Sequence, residues 1–170
     1  VNRIRTCMKV GDVRGKIMTR IKKLNDGQFD GLSVANAALK RLEIDTSNCY
    51  EFTKEEMLPS ASQGYVAVEC LKSNLEILNI LRKINNEKQM ILAQAERSFV
   101  SAMNGSCLSP IAVLCSEEEN NILISAKGLS QDGKDKIYKE LNSSYENISN
   151  DIASLANDFI ANDAKNLILK

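Results

Sequence analysis

The chain has 170 residues, 44% of them hydrophobic and 26% charged, with two prolines, no tryptophan and a formal net charge of zero. That is room for one medium domain or two small ones, and no apolar run approaches the roughly 20 residues of a membrane span. No histidine is present, so His-based metal sites and Ser-His or Cys-His pairs are excluded within the chain.

In chain order, Val1–Thr6 carries charges with no apolar stretch behind them and does not read as a secretory signal. Thr6–Val13 is short and partly alternating, a strand candidate broken at Gly15. From Lys16 onward Ile17, Ile21 and Leu24 recur at helical spacing with basic residues on the other faces, and Asn25-Asp26-Gly27 closes that helix. Phe29–Val34 predicts a short buried strand, and Ala35–Leu42 a second helix through Ala35, Ala38, Leu39 and Leu42. This alternation predicts a parallel sheet covered by helices.

Met57–Gln63, followed by Gly64, is a polar connection holding Pro59. Tyr65–Cys70 is an apolar strand candidate and Asn74–Leu81 is helix-like. Asn86 suits the cap of a long helix, Glu87–Met103, with Met90, Ile91, Phe99, Val100 and Met103 toward a core; Asn104-Gly105-Ser106 stops it. The period then changes. Ile111–Ser116, Ile122–Leu129 and Lys134–Leu141 predict an antiparallel meander. The tail returns to helix, with Ile148, Ile152, Leu155, Ala156 and Phe159 on one face and a last short turn after Asn162-Asp163. The expected class is α/β plus α+β: a partial parallel-type α/β domain, then a small domain with a three-stranded antiparallel sheet covered by helices.

Charge is unevenly spread. Residues 1–23 hold eight basic side chains against the single acid Asp12, a local excess of seven, and the rest of the neutral chain carries the balance. A short basic segment on a neutral protein fits a small anionic ligand better than a nucleic-acid track, although charge runs in general are more often solvated surface. Val13-Arg14-Gly15 before a helix, with Arg20 one and a half turns on, suggests such a site. Gly15 permits a tight turn, the helix start offers free N–H groups, and each guanidinium can fork onto a carboxylate. Arg41, closing the next helix, is placed to join the same rim of an open α/β sheet. On motif specificity alone, three surface or ion-paired arginines are the preferred explanation.

The five cysteines, Cys7, Cys49, Cys70, Cys107 and Cys115, are an odd set without C-x-x-C spacing, which fits free thiols in a reducing, cytoplasmic setting and no metal site. Cys107 lies in Asn104-Gly105-Ser106-Cys107-Leu108-Ser109-Pro110, a loop that Gly and Pro hold in shape. A loop thiol beside basic groups suits a nucleophile, whereas free cysteines are usually small buried hydrophobes. It is the best placed of the five by a small margin.

The order of these motifs resembles the hydroxymethylbilane synthase (porphobilinogen deaminase) family. Val13-Arg14-Gly15-Lys16-Ile17-Met18-Thr19-Arg20-Ile21-Lys22-Lys23-Leu24 is similar to the family's Leu-Arg-Gly-Asn-Val-x-Thr-Arg-Leu-x-Lys-Leu. Phe29-Asp30 and Ala37-Ala38-Leu39-Lys40-Arg41-Leu42 match its Tyr-Asp and Ala-Gly-Leu-Lys-Arg-Leu. Leu58-Pro59, Gln63-Gly64, Glu69-Cys70, Ala95-Glu96-Arg97, Gly105-Ser106-Cys107 and Pro110-Ile111 follow in family order, although Ser62, Leu71 and Leu108 depart from the usual Gly, Arg and polar residue.

The resemblance implies a transferase of tetrapyrrole (porphyrin, haem) biosynthesis. It joins four porphobilinogen molecules head to tail with loss of ammonia and releases hydroxymethylbilane. A dipyrromethane cofactor would be held by a thioether to Cys107, since a thiolate adds readily to an electrophilic methylene-pyrrole. Arg14 and Arg20 would pair with the acetate and propionate of cofactor or substrate, Arg41 would serve substrate in the same cleft, and Gln63 would line it from the hinge side; Arg97 would make an interdomain or structural contact. By the resemblance, residues 1–58 would correspond to the later second domain, 59–84 to a hinge and the segment crossing back to the first domain, and 85–170 to the cofactor-carrying third domain. The family's first domain, with its catalytic aspartate, and a Ser-Ser-x-Arg-Arg stretch have no counterpart, so no catalytic residue is assigned in this chain. Beside porphobilinogen, an N-terminal domain or fragment is thus an expected partner, with no nucleic acid and no membrane. The alternative is a truncated, non-catalytic remnant or anion-binding module.

Overall fold

The computed structural model describes residues 8–106, 109–119 and 121–162. The chain divides into two compact units, Val1–Thr53 and Lys54–Lys170.

The first unit contains helices α1 (Ile17–Asn25) and α2 (Asn36–Arg41). Lys22 and Lys23 lie in the last turn of α1 and Lys40 and Arg41 in that of α2, where cations complement the negative helix end. Gly27, at φ +71, continues the turn beyond α1, its N–H donating to the Leu24 carbonyl. Leu39 is buried. The helices fall where apolar spacing predicts them. The parallel-type sheet expected around them does not form among the described residues: neither 8–13 nor Phe29–Val34 is a strand. A strand is stable only when a neighbour takes its N–H and C=O groups, and no strand ladder joins either segment to another among the described residues; Asp30, Gly31 and Ser33 also give Phe29–Val34 little strand preference of its own.

The second unit is a two-layer α+β body. Helices α3 (Leu75–Ile84) and α4 (Glu87–Ala102) precede strands β1 (Ile111–Glu118), β2 (Asn121–Leu129) and β3 (Lys136–Ser143), and α5 (Ile148–Ala161) closes the chain order. The sheet is an antiparallel meander in the order β1-β2-β3, with Val113 opposite Ala126 and Ile124 opposite Leu141. Asn74 and Asn86 cap α3 and α4, their side chains accepting from the N–H groups of Ile77 and Gln89. β3 begins two residues later than Lys134, because Ser130–Asp135 closes on itself: Asp132 accepts from the Lys134 N–H and the Ser130 hydroxyl, and the Ser130 N–H donates to the Asp135 carbonyl.

One face of the sheet is covered by α4 and α5. Ile111, Val113, Cys115, Ile122, Ile124 and Ala126 meet Leu92, Ala95 and Phe99 from α4, Met103 directly after it, and Ile148, Ile152, Leu155, Ala156 and Phe159 from α5. Phe99 and Phe159 pack edge to face, centroids 5.2 Å apart. Each such large side chain contributes about 1.5–3 kcal/mol by burial. The buried stripe of α4 differs from the expected one. Met90 is exposed, Ile91 and Val100 pack only partly, and the stripe runs through Leu92, Ala95, Glu96 and Phe99. An acid lies on the core face, and a hydrophobicity pattern assigns acids outward.

Tyr65–Cys70 has no sheet partner among the described residues, and α3 buries none of its residues, leaving Leu75, Ile80 and Ile84 exposed. No described helix is long and apolar enough to cross a membrane.

Candidate functional site

In the first unit the structure brings Arg14 and Arg20 to one loop. Gly15 turns at φ +123, and a Cβ there would stand 3.1 Å from the Thr19 side chain. Only glycine takes this backbone without strain. The turn folds the chain back so that Arg20 Nε donates to the Gly15 carbonyl at 2.7 Å, while Lys23 Nζ donates to the Arg14 carbonyl at 3.3 Å. Spending Nε on the backbone fixes the plane of the Arg20 guanidinium and leaves its Nη groups for a ligand. The ion pairs found among the described residues are Lys134–Asp132 and Lys139–Asp158, so neither Arg14 nor Arg20 is paired with a described carboxylate. A basic, anion-ready loop results. Arg41 is exposed at the end of α2 and shares no hydrogen bond with this loop among the described residues.

In the second unit Gln63 is exposed on a tight turn whose N–H donates to the Ser60 carbonyl. Ser62 beside it sits at φ +57 and Gly64 at φ +101. The left-handed backbone at Ser62 is one that glycine adopts more readily. The turn is tied to α4 twice: the Ser62 N–H donates to Glu96 Oε2 at 2.6 Å, and the Ser62 hydroxyl to the Ala93 carbonyl at 3.1 Å. The other oxygen of Glu96 accepts the Cys115 N–H at 2.9 Å. Burial raises the Glu96 carboxyl above its ordinary value, while the two N–H donors act in the opposite sense. Tyr65 packs nearby, pushed up to about 12 by burial and then by the neighbouring Glu96.

Cys107 and Leu108 lie outside the described residues. A Cβ on Gly105 would stand 2.9 Å from Ile111 Cδ1 and 3.1 Å from Val100 Cγ1, and the Gly105 N–H donates to the Val100 carbonyl. The Ser106 N–H donates to Ser109 Oγ at 2.9 Å, and the Leu129 N–H to the Pro110 carbonyl. Among the other cysteines, Cys49 is exposed, Cys70 half-buried and Cys115 buried, all as free thiols. Burial, and next the adjacent Glu96, push the Cys115 thiol up to about 12, which leaves it inert as a nucleophile. Arg97 is exposed.

Residues 1–79 match the family model described as "Porphobilinogen deaminase, dipyromethane cofactor binding domain", and residues 90–159 match "Porphobilinogen deaminase, C-terminal domain". The chain belongs to the porphobilinogen deaminase family. Among its relatives, a porphobilinogen deaminase of Campylobacter hominis is 34% identical over 163 residues, covering 95% of this chain and 53% of the relative. One of Caldicellulosiruptor saccharolyticus is 37% identical over 154 residues, covering 91% and 51%. One of Campylobacter jejuni subsp. jejuni is 31% identical over 169 residues, covering 98% and 55%. The chain thus spans about half the length of the porphobilinogen deaminases it matches.

Sequence reasoning named Arg14, Arg20 and Gln63 but gave Glu96 no role beyond its place in the Ala95-Glu96-Arg97 match. The signal was present: Leu92, Ala95, Glu96 and Phe99 share one helical face by their spacing of three, four and seven. An acid inside such a stripe is a candidate for a structural carboxylate.

Proposed function

We propose that this chain takes part in the head-to-tail condensation of four porphobilinogen molecules to hydroxymethylbilane, with loss of ammonia, in a cytoplasmic setting that its free thiols support. The observation that carries this reading is the Arg14-Gly15-Arg20 loop. It presents two guanidinium groups unpaired with any described carboxylate, one of them oriented by its own backbone hydrogen bond, inside the segment that matches the family's cofactor-binding model.

The residues fit a dipyrromethane in their donor chemistry. Each pyrrole carries an acetate and a propionate, and planar guanidinium groups receive carboxylates in forked pairs. Arg14 and Arg20 are the receivers, Arg41 serves substrate carboxylates, Gln63 offers a polar amide to the same class of ligand, and Cys107 is the attachment point. When bound, the dipyrromethane primes chain growth. Residues 1–58 correspond to part of the family's second domain, 59–84 to its hinge and crossing segment, and 85–170 to the third domain.

Intact mass of the chain after incubation with porphobilinogen tests this, alone and with a family N-terminal portion supplied separately. A dipyrrole adduct that disappears in Cys107→Ser supports the assignment. A bare thiol in both arms, with no turnover, defeats it and leaves an anion-binding module. Arg20→Lys keeps the charge but loses the fork, and lowers porphobilinogen affinity about tenfold, the cost of one good charge-assisted pair.

A further inference from the structure

Among the described residues the buried polar side chains are Glu96, Ser125 and Ser143, and only Glu96 is ionisable. It is 1% exposed and pairs with no described cation. Removing a carboxylate from water is costly, and a hydrophobic residue of similar size at such a place is often as stable or more so. Its presence on the core stripe of α4 therefore calls for a reason other than stability.

The hydrogen bonds supply one. Its two oxygens accept two backbone N–H groups that belong to different parts of the second unit. Oε1 takes the Cys115 N–H of β1, an edge strand of the sheet. Oε2 takes the Ser62 N–H, at a residue held in left-handed backbone directly before Gln63. One turn of α4 earlier, the Ala93 carbonyl takes the Ser62 hydroxyl. Of the side chains of this length, only a carboxylate accepts at both ends. A glutamine offers one oxygen, and its amide nitrogen would face an N–H donor head on.

We propose that Glu96 is a positioning residue: through its paired acceptance of the Ser62 and Cys115 amides it locks the 60–64 turn to α4 and β1 and so fixes where Gln63 is presented to a pyrrole carboxylate or amide-binding group. The ligand half of this statement rests on the role given to Gln63 above; the lock itself does not.

The test uses the full 170-residue chain, wild type against Glu96→Gln and Glu96→Leu, with amide hydrogen exchange and backbone-assigned nuclear magnetic resonance spectra. The expected result is local. Exchange at Ser62, Gln63 and Gly64 speeds up by about tenfold or more in both variants, while Ile124 and Ala126 in β2 keep their protection. In Glu96→Leu the apolar side chain keeps the core filled, so folding is retained and only the lock is lost. Uniform loss of protection through the second unit, or unchanged exchange at 62–64, overturns the proposal. Porphobilinogen is then titrated into each protein and the Gln63 side-chain amide followed. A Gln63 signal that responds in wild type and responds at least about fivefold more weakly in Glu96→Gln, as loss of a fixed geometry requires, supports the presentation of Gln63 by Glu96. An equal response in both overturns that presentation. No response in wild type refutes the ligand role of Gln63, and the lock then stands or falls on the exchange data.

Discussion

Gly105→Ala probes the loop before Cys107 with a single methyl group. The added carbon would meet Ile111 Cδ1 at 2.9 Å, Val100 Cγ1 at 3.1 Å and the Val100 carbonyl oxygen at 3.3 Å. These three neighbours differ in how far they yield. Ile111 Cδ1 is the tip of a side chain and can turn away. Val100 is β-branched on a helix, with one favoured rotamer, and its carbonyl holds the Gly105 N–H at 2.9 Å, so relief in that direction strains or breaks a hydrogen bond. Overpacking of this kind costs typically about 1–3 kcal/mol. One yielding neighbour out of three puts the expectation near the middle, about 2 kcal/mol. Urea unfolding followed by tyrosine fluorescence measures it, since the chain has no tryptophan. Val100→Ala sharpens the test by removing the stiff methyls. If the clash is the cause, Gly105→Ala costs at least about 0.5 kcal/mol less in the Val100→Ala background than in the wild type, a coupling of the size contacting residues show. A Gly105→Ala protein as stable as wild type, or strict additivity in the cycle, would refute the reasoning.

At Ser62, Gly relieves about 1 kcal/mol of left-handed strain but loses the hydroxyl bond to Ala93, of similar worth, so Ser62→Gly should lie close to wild type. Ser62→Ala keeps the strain and loses the bond; its melting temperature should fall below both. Phe159→Ala removes a fully buried ring packed edge to face on Phe99 and should cost about 3–5 kcal/mol, read by denaturant midpoint; a loss under about 1 kcal/mol would contradict the core assignment. Cys115, raised in the folded protein from 9.0 to about 12, holds its proton more tightly than the unfolded chain does. Its contribution to stability is therefore full below pH 9 and is lost as pH rises toward 12. Tyr65, raised from 10.0 to about 12, adds a loss of the same sign above pH 10. Denaturant titrations between pH 8 and 12 should show this decline, shallower in Cys115→Ala; an identical slope in that variant would contradict the assignment.

Local chemistry was readable along the chain. The cap of α4 follows from Asn86, because a capping side chain reaches only the next turn. The meander follows from three β-prone runs separated by short turns, and the face of α5 from its spacing. Gly15 before a basic helix marked the tight turn there, since a φ of +123 is backbone that glycine takes without strain. Nonlocal requirements were not readable. Phe29–Val34 reads as a strand from its place between two helices, but a strand forms only where another segment takes its hydrogen bonds. Glu96 reads as a surface acid until two amides distant in sequence, Ser62 and Cys115, arrive to make its burial tolerable. The serine at 62 likewise gives no sign of its left-handed backbone, which is held by bonds to Glu96 and Ala93. Sequence by itself determined what each segment does with its neighbours within a turn or a strand; the tertiary structure alone decided which buried polar groups meet, because hydrogen bonds between distant residues exist only once the chain has brought them together.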